Sequence, residues 1–574
     1  VQVAETPGGT KRTVKQEIVE NKSNITGATA NLINAIVGSG IVGIPYAIQQ
    51  SGLVAGIVLI ITCAILTEKS LRLLVETAKH ASAPSYETVM EAAFGRFGFL
   101  FVSINMFVMA YGAMVSYLMI VKDTIPYVLG ITDLGARRAV LFLVSLTIMV
   151  PLSSQRDMAN LAKTSQISVI LDFCMVAIVA ICAPIRSTLQ DVGGLVTVLQ
   201  KSTLHLDTVF IGLGVLSFAF VCQHSAFIIA GSLERPTRIR WATVTLRALI
   251  FCGILANLCG ITGYLGFLEH TQGNILNNLD PHGVLPNIAR GMLGTTMLFV
   301  FPMESFVARH VCVVTLFEGR RAHEGEDAAI LNRRDRRISL TMALYIIALV
   351  PALLFENLGN VLSVTGAIGG SCLSYIGPGA VYIGIHGSEL VQMAHDFWKF
   401  GSMRPQNNTE VRPLTAIEGN AEPPKWEHDS STVKFFKGVL WYLFGMPLWY
   451  SLGKVGASGF DAYKRELATK SPHLSRIGKY KRRPIRSSSA TMLRQGSFPT
   501  ASYQQGTGPV IFLPPPTPTT VALKPVVTQQ PDEEEDEDPQ LTPDVVDFII
   551  AVGFILFGIV ALTAGLLSIF ATQA

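Results

Sequence analysis

Charge is what this chain has least of. Only 15% of its 574 residues are Asp, Glu, Lys or Arg, and the formal net charge is +4. A nucleic-acid binder needs a basic patch with interleaved aromatics, which this chain does not offer. An ordinary soluble domain is excluded as well, because 49% of the residues are apolar and so much apolar surface is solvated by lipid rather than water. Cysteine is sparse: Cys63, Cys174, Cys182, Cys222, Cys252, Cys259, Cys312 and Cys372 all fall in apolar stretches. None has zinc-ligand spacing or an evident disulfide mate, so they read as small buried hydrophobes. The first residues are polar, without the apolar core of a cleavable signal peptide, and the chain opens on Val rather than Met, the mark of a processed or incomplete N-terminus.

Apolar runs are abundant instead. Hydropathy marks spans at 27–49, 52–74, 99–121, 138–154, 165–184, 208–231, 243–267, 286–317, 338–355 and 359–384, then a last one at 546–570. The expected class is an all-α integral membrane protein with about eleven transmembrane helices. Lys and Arg concentrate in alternate loops, including Lys69, Arg72, Lys79, Arg235, Arg238 and Arg333, Arg334, Arg336 and Arg337, while the loop 268–285 has none. The positive-inside rule therefore puts the N-terminus in the cytoplasm. Residues 1–26 form a cytoplasmic tail, 27–384 a ten-helix core, and 385–545 a polar cytoplasmic insertion.

That insertion mixes a basic stretch (Lys479 to Arg486), a run of serines (Ser487 to Ser489), Pro514-Pro515-Pro516 and the acidic block Asp532 to Asp538. Such a composition buries too little apolar surface to fold, and disorder is expected. An aromatic-rich segment near 435–452 (Trp441, Tyr442, Phe444, Trp449, Tyr450) is too short to span and reads as an interfacial helix. Sequons at Asn21, Asn24 and Asn407 fall on the cytoplasmic side and are chance matches; glycosylation at Asn407 would overturn this topology.

The chemistry sits in the first span. Asn31 to Tyr46, NLINAIVGSGIVGIPY, is apolar but broken in the middle by Gly38-Ser39-Gly40. Gly38-x-Gly40-x-x-Gly43 also matches a dinucleotide fingerprint, but that motif needs a preceding strand, and these flanks are helix-like. Ten spans divide into two fives, and an odd repeat must enter the membrane in the opposite sense, which makes an inverted repeat. The first helix of the second half is interrupted too, at Cys222-Gln223-His224-Ser225. Interruptions at corresponding positions of the two halves point to a binding site. Amides freed at the start of a half-helix suit a carboxylate, and freed carbonyls suit an ammonium or a cation. A zwitterionic amino acid satisfies both. The expected substrate-binding residues are Gly38, Ser39, Gly40, Ile41, Phe220, Gln223 and His224.

These stretches resemble a known family, the amino acid/auxin permeases, and within it the sodium-coupled neutral amino acid transporters and the fungal vacuolar amino acid transporters. The resemblance rests on NAIVGSGIVGIPYAIQQSG (34–52), SFAFVCQHSAFIIAGSLERPT (217–237) and FPMESFVARHV (301–311), in that order. It covers the membrane core and the final span, not the insertion. It implies a LeuT-like 5+5 inverted repeat with an eleventh helix appended. It also implies secondary active transport of neutral L-amino acids by alternating access, driven by Na⁺ or H⁺ with no other cofactor. By the same resemblance Asn34 and Val37, with Thr295 and Thr296, are the Na⁺ ligand set. The expected partners are the amino acid and the lipid bilayer, the protein is expected to be a monomer, and vacuole or lysosome and plasma membrane both fit as its address.

Ionisable residues inside spans are costly and mark function. Asp172, Glu304 and Arg309 are accordingly expected to take part in coupling or gating, the last two toward the cytoplasmic end of span eight. Gly112, Gly263 and Gly366/Gly369/Gly370 are read as close-packing positions. Among the other readings, an amino acid sensor would use the same pocket and signal through the insertion. An enzyme is disfavoured: the protease-like Gly456-Ala457-Ser458-Gly459 lies outside any span with no positioned base. A channel is disfavoured by the lack of a filter-like motif.

Overall fold

In a computed structural model the chain is described over residues 23–131, 133–155, 165–202, 204–234, 236–316, 334–392, 446–470 and 545–573. The sequons at Asn21 and Asn407, the basic stretch, the proline run and the acidic block lie outside these residues. All regular elements among the described residues are helical. The first span is α1 (Ile25–Ile36), a 3₁₀ turn (Ser39–Gly43) and α2 (Ile44–Ser51). Then come α3 (Leu53–His80), α4 (Tyr86–Val128), α5 (Leu134–Ser153), α6 (Ser165–Cys182) and the short outer helices α7 (Ile185–Val192) and α8 (Leu195–Lys201). The second half holds α9 (Val209–Phe220), α10 (Gln223–Ser232), α11 (Arg238–Phe267), α12 (Val284–Leu316), α13 (Arg334–Leu354) and α14 (Leu358–Ile385). α15 (Met446–Lys470) and α16 (Val545–Gln573) follow. Nine helices among the described residues are long and apolar enough to cross a membrane, or eleven counting two bent pairs, α1 with α2 (47°) and α6 with α7 (42°).

Local chemistry sets many of the ends. Asn24, Ser85, Asp133, Thr237 and Asn357 are N-caps whose side chains accept from backbone amides inside the first turn of α1, α4, α5, α11 and α14. Gly95, at φ +61°, kinks α4 and turns its first two turns aside as an inner arm. The large apolar side chains left exposed, such as Val58, Ile65, Ile250, Ile254, Ile346 and Leu567, are what a lipid-facing surface requires. The expected packing glycines do pack: Gly370 meets the Ser217 carbonyl of α9, Gly263 meets Pro45 of α2, and Gly112 meets Thr365 of α14.

The expected interfacial helix near 435–452 differs from what is found. Its first part lies outside the described residues, and the helix present, α15, is docked on protein. Trp449, Ala457 and Phe460 are buried.

Ionisable and amide side chains are spent on backbone carbonyls at the helix ends. Arg290 is 1% exposed, and its guanidinium donates to the carbonyls of Leu276, Leu279 and Asp280 and to Asn287 Oδ1 at 2.7–3.1 Å. It thereby folds the outer loop 268–283 onto α12. At the outer end of α4, Lys122 Nζ donates to the carbonyls of Ala352 and Phe355, and Asp123 pairs with Arg137 at 2.8 Å. Arg290→Met removes bonds to buried carbonyls that no water replaces, and each charge-assisted bond contributes about 2 kcal/mol. Its expected effect is a lower unfolding temperature in detergent and faster proteolysis within 268–283, read by thermal melting and limited digestion.

Candidate functional site

α1 stops where Val37 (ψ 83°) and Gly38 (φ −120°, ψ −143°) leave the helical region. The Gly38 amide turns to the Ile36 carbonyl at 3.0 Å, so the Asn34 carbonyl loses its usual helical donor at the break. The chain resumes at Ser39 as a 3₁₀ turn, whose first amides have no partner inside the turn. Opposite it, α9 ends at Phe220, and Val221 is extended (φ −72°, ψ 122°) before α10 starts at Gln223. The two breaks face each other. Gly40 lies so near α9 that a Cβ there would sit 2.6 Å from Ala219 Cα.

At their junction is a cavity of about 30 Å³ lined by the break itself (Ala35, Ile36, Gly38, Ser39, Gly40) and by Phe218, Val221 and His224 across from it. α4 contributes Met109, Ala113 and Tyr117, and α12 contributes Glu304. His224 Nε2 stands 3.9 Å from Glu304 Oε1, with both side chains mostly buried. Ser39 Oγ and His224 Nδ1 are buried without a hydrogen-bond partner among the described residues. Buried polar atoms are normally satisfied, so orphans at a cavity mark where a ligand bonds.

Of the expected substrate residues, Gly38, Ser39, Gly40 and His224 thus line the cavity. Ile41, Phe220 and Gln223 do not. The Ile41 carbonyl faces the Cys259 thiol, and Phe220 is 2% exposed in the core. Gln223 is consumed by packing: Nε2 donates to Ser70 Oγ, and Oε1 accepts from Ser374 Oγ and from the Cys222 amide. Glu304 belongs to the central cavity rather than to the cytoplasmic end of its helix. Arg309 is elsewhere, donating to the Ser153 carbonyl and to Thr341 Oγ1 at 2.9 Å and so tying α12 to α5 and α13. Asp172 is buried on α6, outside the cavity lining, and its Oδ2 has no hydrogen-bond partner among the described residues.

For the sodium set, Asn34 is half-buried on α1 one turn before the break, and Val37 lies at the break. Thr296 is buried, but its hydroxyl donates to the Met292 carbonyl of its own helix, and Thr295 lies on the exposed face of α12. The structure does not gather these side chains into one cage. Sequence reasoning missed α4's contribution, since nothing in the apolar span 99–121 sets Tyr117 apart from its neighbour Tyr111.

A second, outer cavity of about 390 Å³ is lined by Tyr46, Asp123, Asn274, Asn277, Glu356 and Asn357, among others. Beside it Tyr46, one of its lining residues, abuts Gly359, and Gly43 abuts Leu362.

Two interrupted helices from opposed repeats, meeting at a buried polar cavity within a bundle of membrane-length helices, define a LeuT-like transporter. The family model described as "Transmembrane amino acid transporter protein" matches residues 21–402, and the chain belongs to that family. It is a multi-pass membrane amino acid transporter and not an enzyme. A Danio rerio protein provisionally named sodium-coupled neutral amino acid transporter 11 is 31% identical over 369 residues, covering 63% of this chain and 79% of that one. Vacuolar amino acid transporter 2 of Saccharomyces cerevisiae is also 31% identical, over 62% of this chain and 76% of its own length. Among solved structures, a substrate-bound Na⁺-coupled sialic acid symporter aligns at TM-score 0.45 and 11% identity, over 68% of this chain and 88% of that one.

The geometry separates two glycines. A Cβ on Gly38 meets nothing nearer than Tyr117 Oη at 3.6 Å, across the cavity, whereas one on Gly40 collides with α9. Gly38→Leu should therefore fold normally and lose substrate binding, while Gly40→Leu should lower the melting temperature or fail to accumulate. Substrate-induced thermal stabilisation together with expression yield checks both.

Proposed function

We propose that the chain is a secondary active transporter of neutral amino acids that works by alternating access and is driven by the proton gradient. The observation carrying this reading is the central cavity, where freed backbone groups of a broken helix face His224 and Glu304 at 3.9 Å. The amides at Ser39 and Gly40, with the orphan Ser39 hydroxyl, suit a substrate carboxylate. The freed Asn34 carbonyl and Glu304 suit an ammonium group. The rest of the lining is apolar apart from Tyr117, with no Lys or Arg, which favours an uncharged side chain. About 30 Å³ is too little for an amino acid, so the cavity has to expand to load, as alternating access requires. The Tyr46–Gly359 and Gly43–Leu362 contacts are then the outer closure.

A buried carboxylate beside an imidazole is a natural carrier for one proton that need not be accompanied by a bound metal ion. The sodium reading is less well supported, because Thr295 faces outward and the Thr296 hydroxyl is already donated. An acidic compartment supplies the proton gradient, and the vacuolar name of the yeast relative accords with that address.

The test is labelled uptake of Gln, Ala and Leu into proteoliposomes, under a Na⁺ gradient and separately under a proton gradient. Proton-driven uptake is expected. Glu304→Gln, fixed in the uncharged form, should cut it by roughly tenfold or more while leaving substrate exchange between loaded vesicles largely intact. Uptake driven only by Na⁺ and abolished by Asn34→Ala would instead assign coupling to the α1 break. Specific binding without flux under either gradient would mean a sensor.

A further inference from the structure

α15 leaves one face of its surface fully committed. Gly453, Gly456, Ala457 and Phe460 are buried, at the i, i+3, i+4, i+7 spacing of a single helical face, while Lys454, Val455, Ser458 and Asp461 are exposed. The Gly456-Ala457-Ser458-Gly459 motif is explained by this seat and not by nucleophilic chemistry. Gly456 rests on Gly384 near the end of α14, Gly453 meets Gly387 just beyond it, and Gly459 lies against the Ala93 carbonyl on the inner arm of α4. No side chain larger than hydrogen fits at these crossings, which brings backbone against backbone.

Aromatic rings carry the contact on to α3. The Phe460 ring lies 6.3 Å from that of His80, the last residue of α3, and His80 lies 4.8 Å from His386, which in turn is 4.8 Å from Tyr382 of α14. Lys464 Nζ stands 4.0 Å above the Phe460 ring. α3 packs chiefly on α11, and α4 chiefly on α12. One segment of the insertion thus bridges helices that belong to different parts of the core, at the end that the basic loops mark as cytoplasmic.

We propose that α15 is a strap that holds the inner ends of α3, α4 and α14 together and restrains inward opening of the transporter; the inference rests on the transport reading. Separating α3 from α4 at the inner face pulls Phe460 out of its seat or slides Gly459 off Ala93, so the strap adds to the barrier for that step. Its grip comes from packing rather than charge. Burial, with His80 and Lys464 alongside, pushes the His386 imidazole down to about 3, so it stays neutral across the physiological range. Lys464 on α15 and Glu389 beyond α14 act on His80 with opposite sign.

The experiment uses the full chain with Gly456→Leu, which wedges the seat, and Phe460→Ser, which unloads it. The exposed Val455→Ser serves as control. Amide hydrogen exchange is measured in nanodiscs, and exchange of labelled amino acid is measured between loaded proteoliposomes. Both strap variants should show faster amide exchange at residues 86–95 and 380–392, and a several-fold higher maximal transport rate at unchanged half-saturation, with the control at wild-type values. Faster amide exchange with wild-type transport would overturn the restraining role. Slower transport in variants that still bind substrate would also overturn it, making α15 a support. If the wild type itself moves no substrate the transport reading fails, and the strap then stands or falls on whether added amino acid changes amide exchange within 446–465.

Discussion

The described membrane core is arranged around the meeting of two helix breaks. A membrane interior offers no water to a free amide or carbonyl, so a helix can stop at mid-depth only where something else receives those groups. Here the break at Val37–Gly38 is set against the break at Val221–Cys222, with Gly40 and Ala219 in backbone contact. The contact holds the half-helices at a distance where their open ends face one small cavity. Move them apart and the polar ends would need other partners; press them closer and no cavity would be left.

The remaining polar residues sort themselves by the same requirement. Arg290, Arg309, Lys122 and Gln223 are buried, and each bonds carbonyls or hydroxyls that join separate elements, although the Nε of Arg290 and of Arg309 keeps no partner among the described residues. They are structural ties. Ser39 and His224 differ, since each keeps a buried polar atom without a protein partner at the cavity. Ionisable residues within spans are functional suspects by default. An unpartnered atom is not enough, since Asp172, Arg290 and Arg309 have one too; Ser39 and His224 are set apart because theirs belong to residues that line the cavity.

Much of this was legible beforehand. The membrane-length helices and the paired interruptions follow from hydropathy and from glycine placement, and Gly38, Ser39, Gly40 and His224 line one cavity. Other expected residues lie off the cavity for a shared reason. Gln223 sits beside His224 in sequence, but a rotation of about 100° per residue turns it toward Ser70 and Ser374 instead of the cavity. Thr295 and Thr296 are neighbours too, and that rotation puts one on the exposed face and the other inside. Glu304 was expected near the cytoplasm because its distance along the helix is easily read, whereas its partner on α10 is not.

The sequence by itself determined the class of protein, because the length and apolarity of the spans, the loop charges and the two breaks are local properties that lipid and helix geometry constrain. Tertiary structure alone decided which side chains share a cavity, since pairs such as His224 with Glu304, or Gly456 with Gly384, are made by how helices rotate and cross. It also decided the fate of the insertion's helix α15. Nothing local in Gly456-Ala457-Ser458-Gly459 distinguishes a loop from a helix seat. Only Gly384 on α14, Gly387 just beyond it and Ala93 on α4 do, and they lie dozens to hundreds of residues away along the chain.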